Sequence, residues 1–168
     1  MPSTGRILKG HNKSVLEKQS EKNKAPEKEC NCRDASKCPL KGQCMTKCIV
    51  YQAAVKTASN EDITYIGSTD NSFKTRWYNH IQSFKNPKHR LSTELSKVIW
   101  DLKEKNIDYN IDWKIITKSS SYTAGAGHCS LCLDEKLHIL KNPDAINKRS
   151  EIISKCRHSR KFLVRNFS

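Results

Sequence analysis

Apolar positions gather from residue 49 onward, and their spacing changes several times along the chain. "IVYQAAV" (49–55) and "ITYIGS" (63–68) are β-branched and aromatic runs separated by the polar "KTASNED", the pattern of an antiparallel hairpin. Beyond it, Phe73, Trp77, Ile81 and Phe84 recur at helical spacing and predict a helix from about Ser72 to Lys85. Asp70, Asn71 and Ser72 are the candidate N-caps, and Pro87 is the stop. Leu95, Val98, Ile99 and Leu102 mark a second helix from about Thr93 to Lys105. In "YNIDWKIIT" (109–117), Tyr109, Ile111, Trp113 and Ile115 alternate with polar residues, as in a half-buried strand. "KSSSYTAGAGH" reads as a loop, and "SLCLDEKLHILK" (130–141) as a third helix closed by Asn142-Pro143. The order β-β-α-α-β-α predicts an α+β fold, a small antiparallel sheet flanked by helices. No internal repeat is present.

The flanks differ. Residues 1–29 are Lys/Glu-rich and read as a basic flexible arm with one short helical turn near Ser14–Lys18. Residues 30–48 form a cysteine-rich segment, and 49–168 the folded part with a basic C-terminal tail. Only 36% of the 168 residues are hydrophobic, which predicts one modest core. A formal net charge of +14 favours a polyanionic partner, either nucleic acid or an acidic membrane surface. No apolar run approaches the roughly 18 residues of a membrane span, and no secretory h-region opens the chain. The eight cysteines, read in a reducing compartment, argue for metal rather than disulfides. The triplets Asn12-Lys13-Ser14 and Asn166-Phe167-Ser168 are then chance matches to a glycosylation pattern.

Two ligand sets stand out. Cys30, Cys32, Cys38 and Cys44 lie in a polar stretch with little to bury, so metal binding would supply its folding energy. Cys48 is a fifth thiol able to replace Cys44. Cys129 and Cys132, with Cys156 and His158, offer a second set that would pin the third helix to the tail, with His128 as a competing nitrogen. Each set offers four ligands, the closed pattern of a structural zinc site.

A third group of residues suits phosphodiester hydrolysis, which needs a positioned water, a base and positive charge on phosphate oxygens. Tyr51 and Tyr65 lie on adjacent predicted strands. Arg76 and His80 are one helical turn apart and are expected to face back over the hairpin toward both tyrosines. Glu135, flanked by Leu133 and Leu137 in the third helix, is a candidate ligand for a hard cation such as Mg²⁺. Gly67 would let the chain turn with little bulk beside a phosphate.

These residues resemble the GIY-YIG endonuclease family. Tyr65-Ile66-Gly67 is similar to the second half of that signature and Ile49-Val50-Tyr51 to the first, with isoleucine in place of glycine. "FKTRWYNHI" resembles the helix motif carrying Arg76 and His80, "LDEKLHILK" the helix with the metal-binding glutamate, and "AINKRS" the later asparagine motif, giving Asn147. The likeness covers about residues 49–150, with a hairpin loop longer than usual. "CNCR", "CPLKGQC", "STELSKVIW", "HCSLCLDEKLHIL" and "INKRSEIISKCRH" resemble more narrowly the endonuclease domain of Penelope-like retroelements, which joins this nuclease fold to cysteine-histidine zinc ligands. The arm's "ILKGHNKSVL" is similar to the stretch that links reverse transcriptase to nuclease there.

The resemblance implies a nuclear DNA endonuclease that nicks double-stranded DNA to expose a 3′-hydroxyl for reverse transcription. The chain would be the C-terminal part of a polyprotein, acting with its reverse transcriptase and element RNA. Tyr51 would be general base or would orient the water. A phenol titrates near ~10, so this needs a neighbouring cation. His80 would share the Tyr51 proton, Tyr65 would bind phosphate or metal-bound water, and Arg76 would stabilise the pentavalent phosphate. Glu135 would hold Mg²⁺ or Mn²⁺, and Asn147 would frame the site. The arm and basic loops such as Lys85–Arg90 would contact phosphates. A zinc-stabilised nucleic-acid-binding module without catalysis accounts for the charge and cysteines equally well. A structural zinc module that docks a polymerase is a third reading.

Overall fold

A computed structural model of the chain describes residues 4–22, 29–58, 62–123, 125–156 and 158. The hairpin tip at residues 59–61 and the tail at 159–168 lie outside the described residues. Strands β1 (Ile49–Thr57), β2 (Ile63–Thr69) and β3 (Tyr109–Lys118) form one antiparallel sheet in the order β2-β1-β3. The helices are α1 (Thr4–Lys22), α2 (Phe73–Lys85), α3 (Glu94–Glu104), α4 (Ser130–Lys141) and α5 (Arg149–Ile152). The predicted β-β-α-α-β-α order is thus present, extended by the short helix α5 after it. The N-terminal segment differs from expectation: Thr4–Lys22 is helical throughout, not for a single turn. Its composition suits this, since "KSVLEKQSEK" is rich in helix formers and sets Lys13 four residues before Glu17, 3.8 Å apart.

The central strand explains the two-sided core. Side chains alternate across a strand, so β1 sends Ile49, Tyr51, Ala53 and Val55 to one face and Val50 to the other, and all five are buried. On the first face they pack with Tyr65, with Phe73 and Phe84 of α2, and with Leu95, Ile99 and Leu102 of α3. On the second, Val50 and Ile66 pack with Cys129 and with Leu131 and Ile139 of α4. Helices therefore cover both faces, and Ile49, where the signature motif has glycine, is core.

Helix entry is settled by side-chain caps. The Ser72 side chain accepts from Thr75 N at the start of α2, and the Thr93 side chain accepts from Ser96 N at the start of α3. Between these helices the buried hydroxyls of Ser83 and Ser96 meet at 2.6 Å, a contact that small side chains allow at a close crossing. Opposite β1, the partners on β3 jump from Thr117 to Ile115, so Ile116 is an extra, bulged residue. The bulge lets Ile115 face the first core while Ile116 packs into the second.

Candidate active site and metal clusters

Tyr51 is the third residue of β1, has no exposure and lies directly opposite Gly67 of β2. A Cβ on Gly67 would sit 2.6 Å from the Tyr51 oxygen and 2.7 Å from Cζ, so only glycine leaves room for the phenol. This corrects the expectation for Gly67: it is a mid-strand residue that makes space for Tyr51, not a turn beside a phosphate. The Tyr51 ring is held edge-on by Phe73, with centroids 5.2 Å apart, and is flanked by Trp113 at 5.9 Å. Tyr65 pairs across the ladder with Ala53, which sets it diagonal to Tyr51 on the same face.

Arg76 and His80, one turn apart on α2, both reach the Tyr51 oxygen. Arg76 Nε donates to it at 3.0 Å, and His80 Nε2 lies 2.7 Å away. The Tyr65 hydroxyl is within reach of the same guanidinium. His80 is 2% exposed, deeper than its place at the border of the Phe73–Trp77–Ile81 stripe suggested. Burial, and then the charge of Arg76, depress the imidazole to about 3, so the ring is neutral at physiological pH. In its Nδ1–H tautomer it accepts the Tyr51 O–H at Nε2 while the tyrosine oxygen accepts from Arg76. Arg76 itself is raised: burial opposes its charge, but both phenols favour it.

The carboxylates come from the last two helices, Glu135 from α4 and Glu151 from α5. Glu135 lies four residues from both Leu131 and Ile139, the buried face of α4, whereas Leu133 and Leu137 are exposed. Its apolar neighbours along the helix face are therefore not those the sequence suggested. Burial is the main cause that pushes the Tyr65 phenol up. The field of Tyr51 adds to this, Arg76 opposes it, and the Glu151 and Glu135 carboxylates both push upward. Glu135 thus lies within electrostatic reach of Tyr65.

Asn147 has a different job from the other five residues. Its amide nitrogen donates to Ile66 O at 2.7 Å and its oxygen accepts from Ile66 N at 2.9 Å. It therefore mimics a neighbouring strand along β2 and frames the site by fixing the backbone next to Tyr65. Glu151 accepts from Asn147 at 3.0 Å and from Lys148 N at 2.8 Å. Its spacing of four from Asn147 was the signal that sequence reasoning did not use.

Both ligand sets assemble. Tetrahedral zinc with Zn–S bonds near ~2.3 Å places sulfurs roughly 3.8 Å apart. Cys30 to Cys38 is 3.8 Å, Cys32 to Cys44 is 3.6 Å and Cys44 to Cys30 is 3.6 Å. Burial pushes the Cys38 thiol up, but the N–H groups of Gly42 and Leu40 outweigh it, and the thiol falls to about 7. Burial drives Cys44 up to about 12, and the surrounding sulfurs add to this against the Asn31 N–H, so a full set of thiolates needs a cation among them. In the second set Cys129 Sγ lies 3.3 Å from His158 Nδ1, Cys156 Sγ 3.7 Å from the same nitrogen, and Cys132 Sγ 3.4 Å from Cys156 Sγ. The ligand atoms of each set lie within 4.8 Å of one another, and each set can hold a zinc ion. Cys48 is outside the first set and contacts Ser121 Oγ at 3.4 Å, which leaves Cys44 as the fourth ligand. His128 is exposed and outside the second.

Two further features bear on ligand approach. A groove of about 290 Å³ beside the site is lined by Arg76, Asn79, His80, His89, Ser92 and Thr93. Within Lys85–Arg90, Arg90 pairs with Asp101 at 2.8 Å and with Glu104, so it is held by the fold, whereas Lys85 and Lys88 are exposed. Among the described residues no helix is long and apolar enough to cross a membrane. Comparison with protein families, curated proteins and solved structures finds no match to this chain.

Proposed function

We propose that the chain is a divalent-metal-dependent DNA endonuclease of GIY-YIG type, and that it serves a Penelope-like retroelement by nicking nuclear DNA to prime reverse transcription. The observation that carries this reading is the convergence on one oxygen: Arg76 Nε at 3.0 Å and His80 Nε2 at 2.7 Å from Tyr51, with Tyr65 under the same guanidinium. A neutral imidazole bonded to a phenol is a proton acceptor for it, and a guanidinium on the same oxygen stabilises phenolate as it forms.

In the proposed reaction a water oxygen bonds to phosphorus and the bond to the 3′ oxygen breaks, the leaving oxygen taking a proton from solvent, to give a 3′-hydroxyl and a 5′-phosphate. The water proton goes to Tyr51 as the Tyr51 proton passes to His80 Nε2. Of the three groups meeting at the Tyr51 oxygen, Arg76 is the one with partial exposure, so it meets the phosphate first, and its charge then serves the pentavalent oxygens. Neutralising Arg76 also removes one of the two causes that depress His80. Tyr65 holds a phosphate oxygen. Glu135 supplies a single carboxylate, which suits Mg²⁺ or Mn²⁺ completed by water and substrate phosphate. Such an ion, when bound, withdraws charge from the phosphate and leaving oxygens. Exposed Lys85 and Lys88 supply sequence-independent contacts to the duplex, and the polymerase part and element RNA are the proposed partners.

The full burial of Tyr51 favours a second reading, in which the aromatic cluster is only a scaffold within a zinc-stabilised nucleic-acid-binding module. Plasmid nicking with Mg²⁺ or Mn²⁺ separates the two. Arg76→Ala and Glu135→Gln, each checked for an unchanged fold, are expected to lose roughly 100-fold or more in nicking rate while still binding duplex. Cleavage at the wild-type rate in both variants removes the proposed site, and no cleavage by the wild type favours the binding module.

A further inference from the structure

The first turn of α2 is held from two directions, each leading to a cysteine cluster. A helix leaves its first N–H groups without partners of its own. Here Phe73 N donates to Thr46 O at 2.9 Å and Lys74 N to Cys44 O at 2.7 Å, so the end of the first cluster caps the helix from about thirty residues upstream. Lys74 Nζ donates to Asn31 Oδ1 at 2.6 Å, a second tie to that cluster. From the other side His158 turns Nδ1 toward Cys129 and presents Nε2 to Asp70 Oδ2 at 3.3 Å. Asp70 sits two residues before the Ser72 cap, and its carbonyl accepts from Cys48 Sγ at 3.8 Å. The C-terminal cluster thereby reaches the turn that launches α2.

We propose that the two clusters are clamps that fix the first turn of α2, and with it the Arg76 guanidinium, and that Asp70 is the positioning residue through which the C-terminal clamp acts. Arg76 is the fourth residue of α2, so fraying of that turn displaces it, whereas His80 lies a turn deeper. A carboxylate on the outer nitrogen of a ligating histidine fixes ring orientation and strengthens the ligand. Asp70 does this while belonging to the β2–α2 connection, so one hydrogen bond joins the tail to the helix. The inference rests on the fit of the two ligand sets to metal and does not use the nuclease reading.

The test compares the full chain with Asp70→Ala and Asp70→Asn, the latter keeping an oxygen that can accept from His158 Nε2–H. In chelator competition Asp70→Ala is expected to weaken one of two bound zinc ions by roughly 10- to 100-fold and leave the other unchanged. Amide exchange is then followed with zinc in excess, so that both sets stay filled. Phe73 and Lys74 are expected to exchange faster in Asp70→Ala, while Ile99 and Leu102 of α3 keep their wild-type rates. Asp70→Asn should recover most of both properties, which a simple loss of negative charge near the helix N-terminus would not allow. Unchanged zinc affinity in Asp70→Ala overturns the proposal. So does weakened zinc with unaltered exchange at Phe73 and Lys74, or an Asp70→Asn that behaves as the alanine variant.

Discussion

Tyr51 places one oxygen between a permanent cation and an imidazole that burial keeps neutral, and His80 bears the energetic consequence. Its folded value, about 3, lies below the ordinary histidine value, so the unfolded chain binds the proton more tightly. The contribution is fully present above about pH 6.5 and is lost as pH falls toward the folded value. His80→Gln is expected to flatten the decline of unfolding free energy between about pH 6 and pH 4 by on the order of 1 kcal/mol per pH unit. Denaturant titrations of the two proteins at several pH values measure it. Taking the difference cancels the metal ligands, which protonate in both. Equal slopes would mean that His80 is not held neutral by the fold. The type and spacing of Arg76 and His80 were legible in the sequence, because an i, i+4 pair on a helix following a strand can face only a limited region. The reason for Gly67 was not legible. A glycine at a strand end suggests a turn, and only the register that puts it opposite Tyr51 reveals the contact with the phenol.

At the level of elements, β2 is an edge strand, and its outer side is exposed to fraying or mispairing unless something satisfies it. Asn147 does so at Ile66, and Ile146 N adds a further bond to Thr64 O at 2.9 Å. Asn147→Ala would remove two hydrogen bonds from the backbone N–H and C=O of Ile66, at a cost of roughly 1–3 kcal/mol. The expected signature is local: faster amide exchange at Ile66, with Ile115 of β3 unchanged, and a loosened Tyr65 next door. Exchange at Ile66 equal to wild type would deny Asn147 its framing role. Periodicity gave the existence, order and type of the elements between residues 49 and 141, since each core face repeats at its own spacing. It could not give the bulge at Ile116, because "KIIT" reads as one unbroken run until β1 imposes its register. Nor could it place Glu135 under Leu131 and Ile139, because α4 carries apolar residues on more than one face.

For the molecule as a whole, the sheet is shared by two cores, and the larger one includes Leu40, which lies between Cys38 and Cys44. The first cysteine segment therefore contributes to the core and to the α2 caps while having almost no apolar residues of its own. Its order is expected to depend on an ion that its four sulfurs can hold. The second set closes α4 against residues 156 and 158 in the same way. Elemental analysis of the purified chain is expected to find two zinc ions per molecule. A strong chelator should lower the melting temperature by well over 10 °C, because metal-coupled folding energies of this kind are on the order of 10 kcal/mol per site. Re-addition of zinc should restore the melt. One zinc per chain would discard whichever ligand set proves empty, and an apo chain that melts like the holo form would show that packing alone orders the segment. The predicted ordering of effects is specific. Release from the first set should unlock the Cys44 and Thr46 carbonyls and free the α2 amides, whereas release from the second should act on α2 only through Asp70. A stepwise chelation followed by exchange at Phe73 and Lys74 would therefore rise once for each ion lost, with the larger rise belonging to Cys30–Cys44.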